Sequence, residues 1–105
     1  MFSSKNRLDN ESVRNILKNN VGAINTPLFY AKRIKNDLNL YRFAILIPKK
    51  IYKKAVDRHK IKRKIISIIK EFEDISKCDY VLTLKKDINS LDKTEIQKDL
   101  VKIVN

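Results

Sequence analysis

The residues best suited to chemistry lie in one stretch, positions 49–64: Lys-Lys-Ile-Tyr-Lys-Lys-Ala-Val-Asp-Arg-His-Lys-Ile-Lys-Arg-Lys. Nine of the sixteen are Lys or Arg, against one acid, Asp57, and the only histidine, His59. Such density suits phosphate binding rather than bond making. Arg58 and Arg63 can grip a phosphate with two parallel hydrogen bonds. Lys49, Lys50, Lys53, Lys54, Lys60, Lys62 and Lys64 act as point charges. A strand-like run, Phe43-Ala44-Ile45-Leu46-Ile47, precedes this stretch, and a helical run from Ile65 to Phe72 follows it. The basic stretch is therefore a strand-to-helix junction. The helix N-terminus adds free N–H groups and a positive dipole end to the same surface.

Signs of catalysis by the polypeptide are missing from the sequence. There is no His-Glu-x-x-His, no paired Asp motif and no phosphate-cradling loop, and Gly22 is the only glycine. Ser, His and Asp suggest no triad spacing. His59, crowded by cations, is a poor general base and reads as a hydrogen-bonding or stacking residue of a basic patch. One cysteine, Cys78, allows no internal disulfide, and with one histidine it makes no usual zinc site. The sequence leaves metal ligands on the protein unassigned. Cys78 reads as a small residue near a strand start.

Net charge is +12 over 105 residues, with a pI near 9.9, and points to a polyanionic partner. Lys, Ile and Asn supply 43 residues, a bias that an AT-rich genome also produces, so total lysine content says little. The distribution says more. Residues 21–70 hold fourteen basic residues and two acids, Asp37 and Asp57, while the remainder holds ten of each sign. A merely solvated helix face usually interleaves acids, and this one does not until Glu71. A membrane-surface helix would want Trp, which is absent, and would expose the apolar half that the core needs. The N-terminus has no apolar signal region, and no apolar run approaches the ~18 residues of a membrane span. The expectation is a cytoplasmic protein of one domain, residues 1–105, with no obligate protein partner evident.

The elements that must position the basic stretch follow from periodicity. Residues 1–8, with Phe2 and Leu8, read as an arm that settles on the body. Asn10-Glu11-Ser12 can start a helix whose face is Val13, Ile16, Leu17 and Val21, ended by Asn19-Asn20 and Gly22. Leu28 to Ile34 reads as a strand, Lys35–Asn39 as a turn and Leu40 to Ile47 as a second strand, closed by Pro48. The two strands are expected to pair as an antiparallel hairpin. The second is apolar on both faces apart from Arg42, as suits a strand covered on both sides or a central one. A helix is expected over about 55–73 with Asp57 as N-cap and Ile61, Ile65, Ile68, Ile69 and Phe72 on its buried face. Arg58 and Lys62 fall on the same stripe, so its first turns should project past the sheet edge. Glu71, Glu73 and Asp74 oppose the helix dipole and predict a frayed end. Asp79–Leu84 reads as a last strand. Ser90 or Asp92 caps a final helix with Leu91, Ile96, Leu100, Ile103 and Val104 on its apolar face. Aromatics on the strands, Phe29, Tyr30, Tyr41 and Phe43, could stack bases or fill the core, and Phe43 is assigned to the core.

At the junction the sequence resembles the bacterial ribonuclease P protein component. That family has a strand ending in Ser-Lys-Lys, a short apolar-basic link, an Arg-Asn-Arg signature, Ile-Lys-Arg and an amphipathic helix. The matching residues are Pro48-Lys49-Lys50, then Lys54-Ala55-Val56, then Arg58-His59-Lys60-Ile61-Lys62-Arg63. Asn6-Arg7-Leu8 and Asp79-Tyr80-Val81-Leu82 also fit, so the similarity covers most of the chain. His59 and Lys60 replace the signature Asn and second Arg, Asp57 stands where a basic residue is common, and Pro48 replaces Ser. Val13 and Leu17 stand at first-helix positions that are aromatic in the family.

The resemblance implies an α+β two-layer sandwich with a mixed sheet of about four strands and three helices, order αβββαβα. It also implies a left-handed crossover at the basic helix, against the usual rule. The implied function is the protein subunit of a ribozyme that removes the 5′ leader of precursor tRNA. Catalysis is by the RNA with Mg²⁺. Lys49, Lys50, Lys53, Lys54, Arg58, His59, Lys60, Lys62, Arg63 and Lys64 would contact the catalytic RNA. Val13, Leu17, Phe29 and Tyr30 would line the leader cleft. The alternative is a ribosomal or general structured-RNA-binding protein with no processing role.

Overall fold

The computed structural model describes residues 4–19 and 22–105. After a 3-10 turn at Ser4–Asn6, the elements are α1 (Asn10–Lys18), β1 (Ala23–Asn25), β2 (Phe29–Lys35), β3 (Arg42–Leu46), α2 (Ala55–Lys70), β4 (Cys78–Leu84) and α3 (Lys93–Val104). Three helices and four strands thus follow the order expected. Phe2, Asn20 and Val21, part of the expected arm and first helix, lie outside the described residues.

The strands form one sheet in the order β1-β2-β4-β3. β4 runs antiparallel to β2 and parallel to β3, so the sheet is mixed and α2 is the crossover between β3 and β4. The expected hairpin between β2 and β3 does not form, because β4 lies between them. The reason is burial. Cys78 through Leu82 are all buried, on both faces, and only a central strand covers both faces and pairs both edges. β3 is instead an edge strand. The loop over 36–41 spans the extra strand and is tied down by Asn36, whose amide donates to Asp79 Oδ1 at 2.8 Å and Leu40 O at 3.1 Å.

Strand alternation sends Phe29, Ala31, Phe43, Ile45, Tyr80, Leu82 and Leu84 to the face covered by α2 and α3. There Phe43 stacks on Tyr80, ring centroids 4.4 Å apart, which bears out the core assignment of Phe43. Tyr41 packs edge-on against Phe43 at 5.5 Å. Ile61, Ile65, Ile66, Ile68 and Ile69 of α2 and Ile96, Leu100, Ile103 and Val104 of α3 complete this core. The opposite face carries a smaller cluster of Leu8, Ile16 and Val81, with Val13, Ile34, Ala44 and Leu46 packed against it. α1 covers only part of that face, crossing β2 and β4.

Local chemistry explains the boundaries. Asp9 caps α1, accepting from Ser12 N at 2.7 Å, and this hydrogen bond holds its carboxyl below the usual range. Asp92 caps α3 in the same way, accepting from Glu95 N at 3.0 Å. Gly22 has φ +76°, and a Cβ there would meet Arg33 O at 2.0 Å, so only glycine fits. α2 begins at Ala55 as expected, but its cap and its far end differ from expectation. Its N-cap is Lys54, with no side-chain cap, and Asp57 lies inside the first turn. Ile51 and Tyr52 pack against the core just upstream. At the other end α2 stops at Lys70. Just past that end Glu71 pairs with Lys93 of α3.

Candidate nucleic-acid interface

The link from β3 to α2 is short, basic and anchored. Ile51 N and Tyr52 N donate to Pro48 O at 3.1 and 3.3 Å, closing a turn that carries Lys49 and Lys50 into solvent. The Tyr52 hydroxyl donates to Asp87 Oδ1 at 2.5 Å and accepts from Ile88 N at 2.9 Å. Burial, together with the hydrogen bond to Asp87, pushes the Tyr52 phenol up to about 12. The same bond holds Asp87 below the usual carboxylate range. Lys53 and Lys54 are exposed beyond this anchor.

Within α2 the cations divide into two groups. Arg58 folds back, donating from Nη1 to Tyr52 O at 3.0 Å and Lys53 O at 2.9 Å, so it braces the link. Lys64 donates to Leu91 O at 3.2 Å and joins α2 to the loop before α3. His59, Lys60 and Arg63 are exposed, with Val56 at 65% on the same outward side. Val56, Lys60 and Arg63 recur at spacings of four and three, one stripe of the helix. The expectation that Arg58 and Lys62 project past the sheet is met in part. Both are half-buried at the β3 edge, and Arg58 finds carbonyls of its own chain.

A 290 Å³ groove at that edge is lined by Ile45, Ile47, Ala55, Arg58, His59 and Lys62. A second, of 250 Å³, shares Ile45 and Lys62 and extends past Arg7, Asn10, Val13 and Leu46 to the start of α1. The two lead from the basic helix to the half-covered sheet face. Tyr30, Thr83 and Leu46 sit side by side on that face in register across β2, β4 and β3. Leu17 of α1 and Tyr30 are 39% and 37% exposed.

Phe29 requires correction: it is 0% exposed and faces α2 and α3, so it cannot line a cleft beneath α1. Neighbouring strand residues point to opposite faces, and only one of Phe29 and Tyr30 can reach that surface. Val13, Leu17 and Tyr30 do share a side of the sheet. Sequence reasoning passed over Lys32, Thr83, Arg7 and Asn10. The alternation from Tyr30 would have placed Lys32 on the same face. On that face, too, Arg42 donates to both oxygens of Asp79, at 2.8 and 2.6 Å, and this pairing raises the guanidinium pKa further.

No three of His, Cys, Asp or Glu converge to hold a metal ion among the described residues. Among those residues, too, no helix is long and apolar enough to cross a membrane.

Comparison with known proteins agrees with this geometry. The chain is similar to the ribonuclease P protein of Staphylococcus aureus, with 24% identity and a TM-score of 0.77, covering 95% of this chain and 98% of that one. It is similar to the Thermotoga maritima protein at 21% identity and a TM-score of 0.79, covering 93% and 94%. A mutant of the S. aureus protein, described as defective in mRNA degradation activity, matches at 24% identity and a TM-score of 0.78, covering 94% and 85%. No curated protein matches the chain. The family model for ribonuclease P matches residues 2–105, and the chain belongs to that family.

Proposed function

We propose that this protein is the RNA-binding subunit of a ribonuclease P holoenzyme, in which the RNA cleaves the 5′ leader from precursor tRNA. The observation that carries the reading is the outward stripe of α2. Lys60 and Arg63 stand exposed on α2, whose N-terminus has no side-chain cap. Phosphates of a folded RNA would meet these cations, Lys49, Lys50, Lys53 and Lys54, and the free N–H groups of the first helical turn. Lys62 and His59 would face the RNA at the groove. Arg58 and Lys64 serve this surface chiefly by holding its shape.

The single-stranded leader would lie in the cleft under α1. Tyr30 offers a ring for base stacking, and Leu17 and Val13 offer apolar contact. In this reading Mg²⁺ belongs with the RNA; among the described residues no three of His, Cys, Asp or Glu converge. The protein's cations lower the repulsion between the phosphates of the two RNAs.

The test is cleavage of precursor tRNA at low Mg²⁺ with protein, candidate catalytic RNA, both or neither. Cleavage only with both supports the reading. Cleavage by protein alone overturns it. No stimulation, with tight binding to unrelated structured RNA, favours a general RNA-binding protein.

A further inference from the structure

One side chain joins β2 to the end of α1, beside Tyr30 and Leu17, the residues proposed to meet the leader. Lys32 lies on β2 two residues beyond Tyr30, facing the same side, and is 6% exposed. Its Nζ donates to Leu17 O at 2.7 Å and also to Asn19 O. Both carbonyls belong to the C-terminal end of α1, where helix carbonyls lack intrahelical partners and the dipole is negative. No carboxylate takes part in either bond. A buried ammonium is costly unless its hydrogen bonds are specific, and here they are spent on the position of a helix end.

α1 needs such a tie. At nine residues it is too short to be stable alone, and Ile16 is its only fully buried side chain. Leu8, Val13 and Ile16 seat its first turns and middle on the sheet. Lys32 holds the far end, at the carbonyl of Leu17 itself.

We propose that Lys32 is a positioning residue for the leader: it fixes the end of α1, and with it Leu17, relative to Tyr30, against which the single strand would lie. The proposal rests on the reading of this cleft as the leader site. Lys32 bonds to α1 and stands outside the cation surface proposed on α2, so its effect should be confined to substrates that carry a leader.

The test compares holoenzymes containing the wild type, Lys32→Met and Lys32→Arg. Binding is measured to precursor tRNA with a leader, to the same tRNA without one, and to the catalytic RNA. Methionine keeps an unbranched apolar stem and removes the donors. The expected result for folded Lys32→Met is a loss of fivefold or more in affinity for the leader-bearing substrate. KM rises by the same factor with kcat at saturation unchanged. Affinities for leaderless tRNA and for the catalytic RNA stay within twofold. An equal loss on all three RNAs, or no loss on any, overturns the proposal. If Lys32→Met does not fold, Lys32→Arg decides, since its longer, forked head must displace the α1 end. A leader-selective loss of threefold or more supports the positioning role, and wild-type discrimination overturns it. A wild type that does not itself distinguish leader-bearing from leaderless tRNA refutes the leader reading, and this inference falls with it.

Discussion

The two groups of cations on α2 should separate in a salt titration. Each phosphate neutralised by a cation contributes about 0.9 to the slope of log affinity against log salt on a duplex. Lys60 and Arg63 are exposed and have no hydrogen-bond partner among the described residues, so Lys60→Ala with Arg63→Ala should lower the slope by about 1.8. Between 50 and 200 mM salt that difference corresponds to about a 12-fold change, so the wild type should lose affinity for the catalytic RNA about tenfold more than the double variant. Stability should not change, because neither side chain braces the fold. Arg58→Ala should behave in the opposite way. It removes two hydrogen bonds to the carbonyls of Tyr52 and Lys53. Discounted for partial exposure, this is a loss of about 1 kcal/mol, or roughly 4–8 °C in melting temperature for a domain of about this size. Its change in salt slope should be smaller than one contact. The assay is filter binding over a salt series, with thermal unfolding of each variant in parallel. An unchanged slope in the double variant would refute the assignment of the outward stripe. A full-unit drop for Arg58→Ala with no loss of stability would refute the bracing role.

Three further outcomes are expected. Phe29→Ala should cost about 3–5 kcal/mol in denaturant unfolding as a core truncation. Tyr30→Ala should change stability by no more than about 0.5 kcal/mol yet weaken binding of a single-stranded leader oligonucleotide; the reverse pattern would invert the two faces of β2. Asp99, buried at 4%, accepts from Leu28 N at 3.0 Å and from the Thr26 hydroxyl. Asp99→Ala leaves two buried donors without that acceptor and should cost about 2–4 kcal/mol, read by urea unfolding; a loss below about 0.5 kcal/mol would show that water replaces the carboxylate. Tyr52 and Tyr80 both have phenols pushed up to about 12, above the unfolded value of 10.0. The neutral phenol is the form that folding favours. Its contribution is complete below pH 10 and is lost as pH rises through 12. Tyr52→Phe cannot ionise and should show a smaller fall in urea midpoint between pH 9 and pH 11.5; an identical fall would assign the alkaline transition elsewhere.

Much of this protein was legible in the chain because the signals are local. The basic stretch needed only counting, and the isoleucines of α2 announce their helix by spacing. Ser90 and Asp92 both offer a cap for α3, and the fold uses Asp92. The order of elements apart from β1 followed from these patterns, β1 came only with the family resemblance, and the resemblance came from the motif at the junction. Pairing was another matter. The β2 and β3 runs look like neighbours because they are consecutive. β4, which starts 49 residues after β2 does, lies between them, and its residues from Cys78 to Leu82 are all buried there. That competition is between segments, and no single segment contains its outcome.

The same distinction governs the site. Sequence by itself determined that a dense cation cluster sits at a helix start and that an aromatic pair lies on β2. Only the tertiary structure decided which cations are available and which aromatic faces outward. Arg58 and Arg63 are the same residue type five positions apart. One meets carbonyls of the folded link and the other meets solvent, because the helix turns them to different sides. Lys32 reads in the chain as one more surface lysine. It becomes a buried tie only when α1 is laid over β2, because the acceptors that satisfy it come from another element.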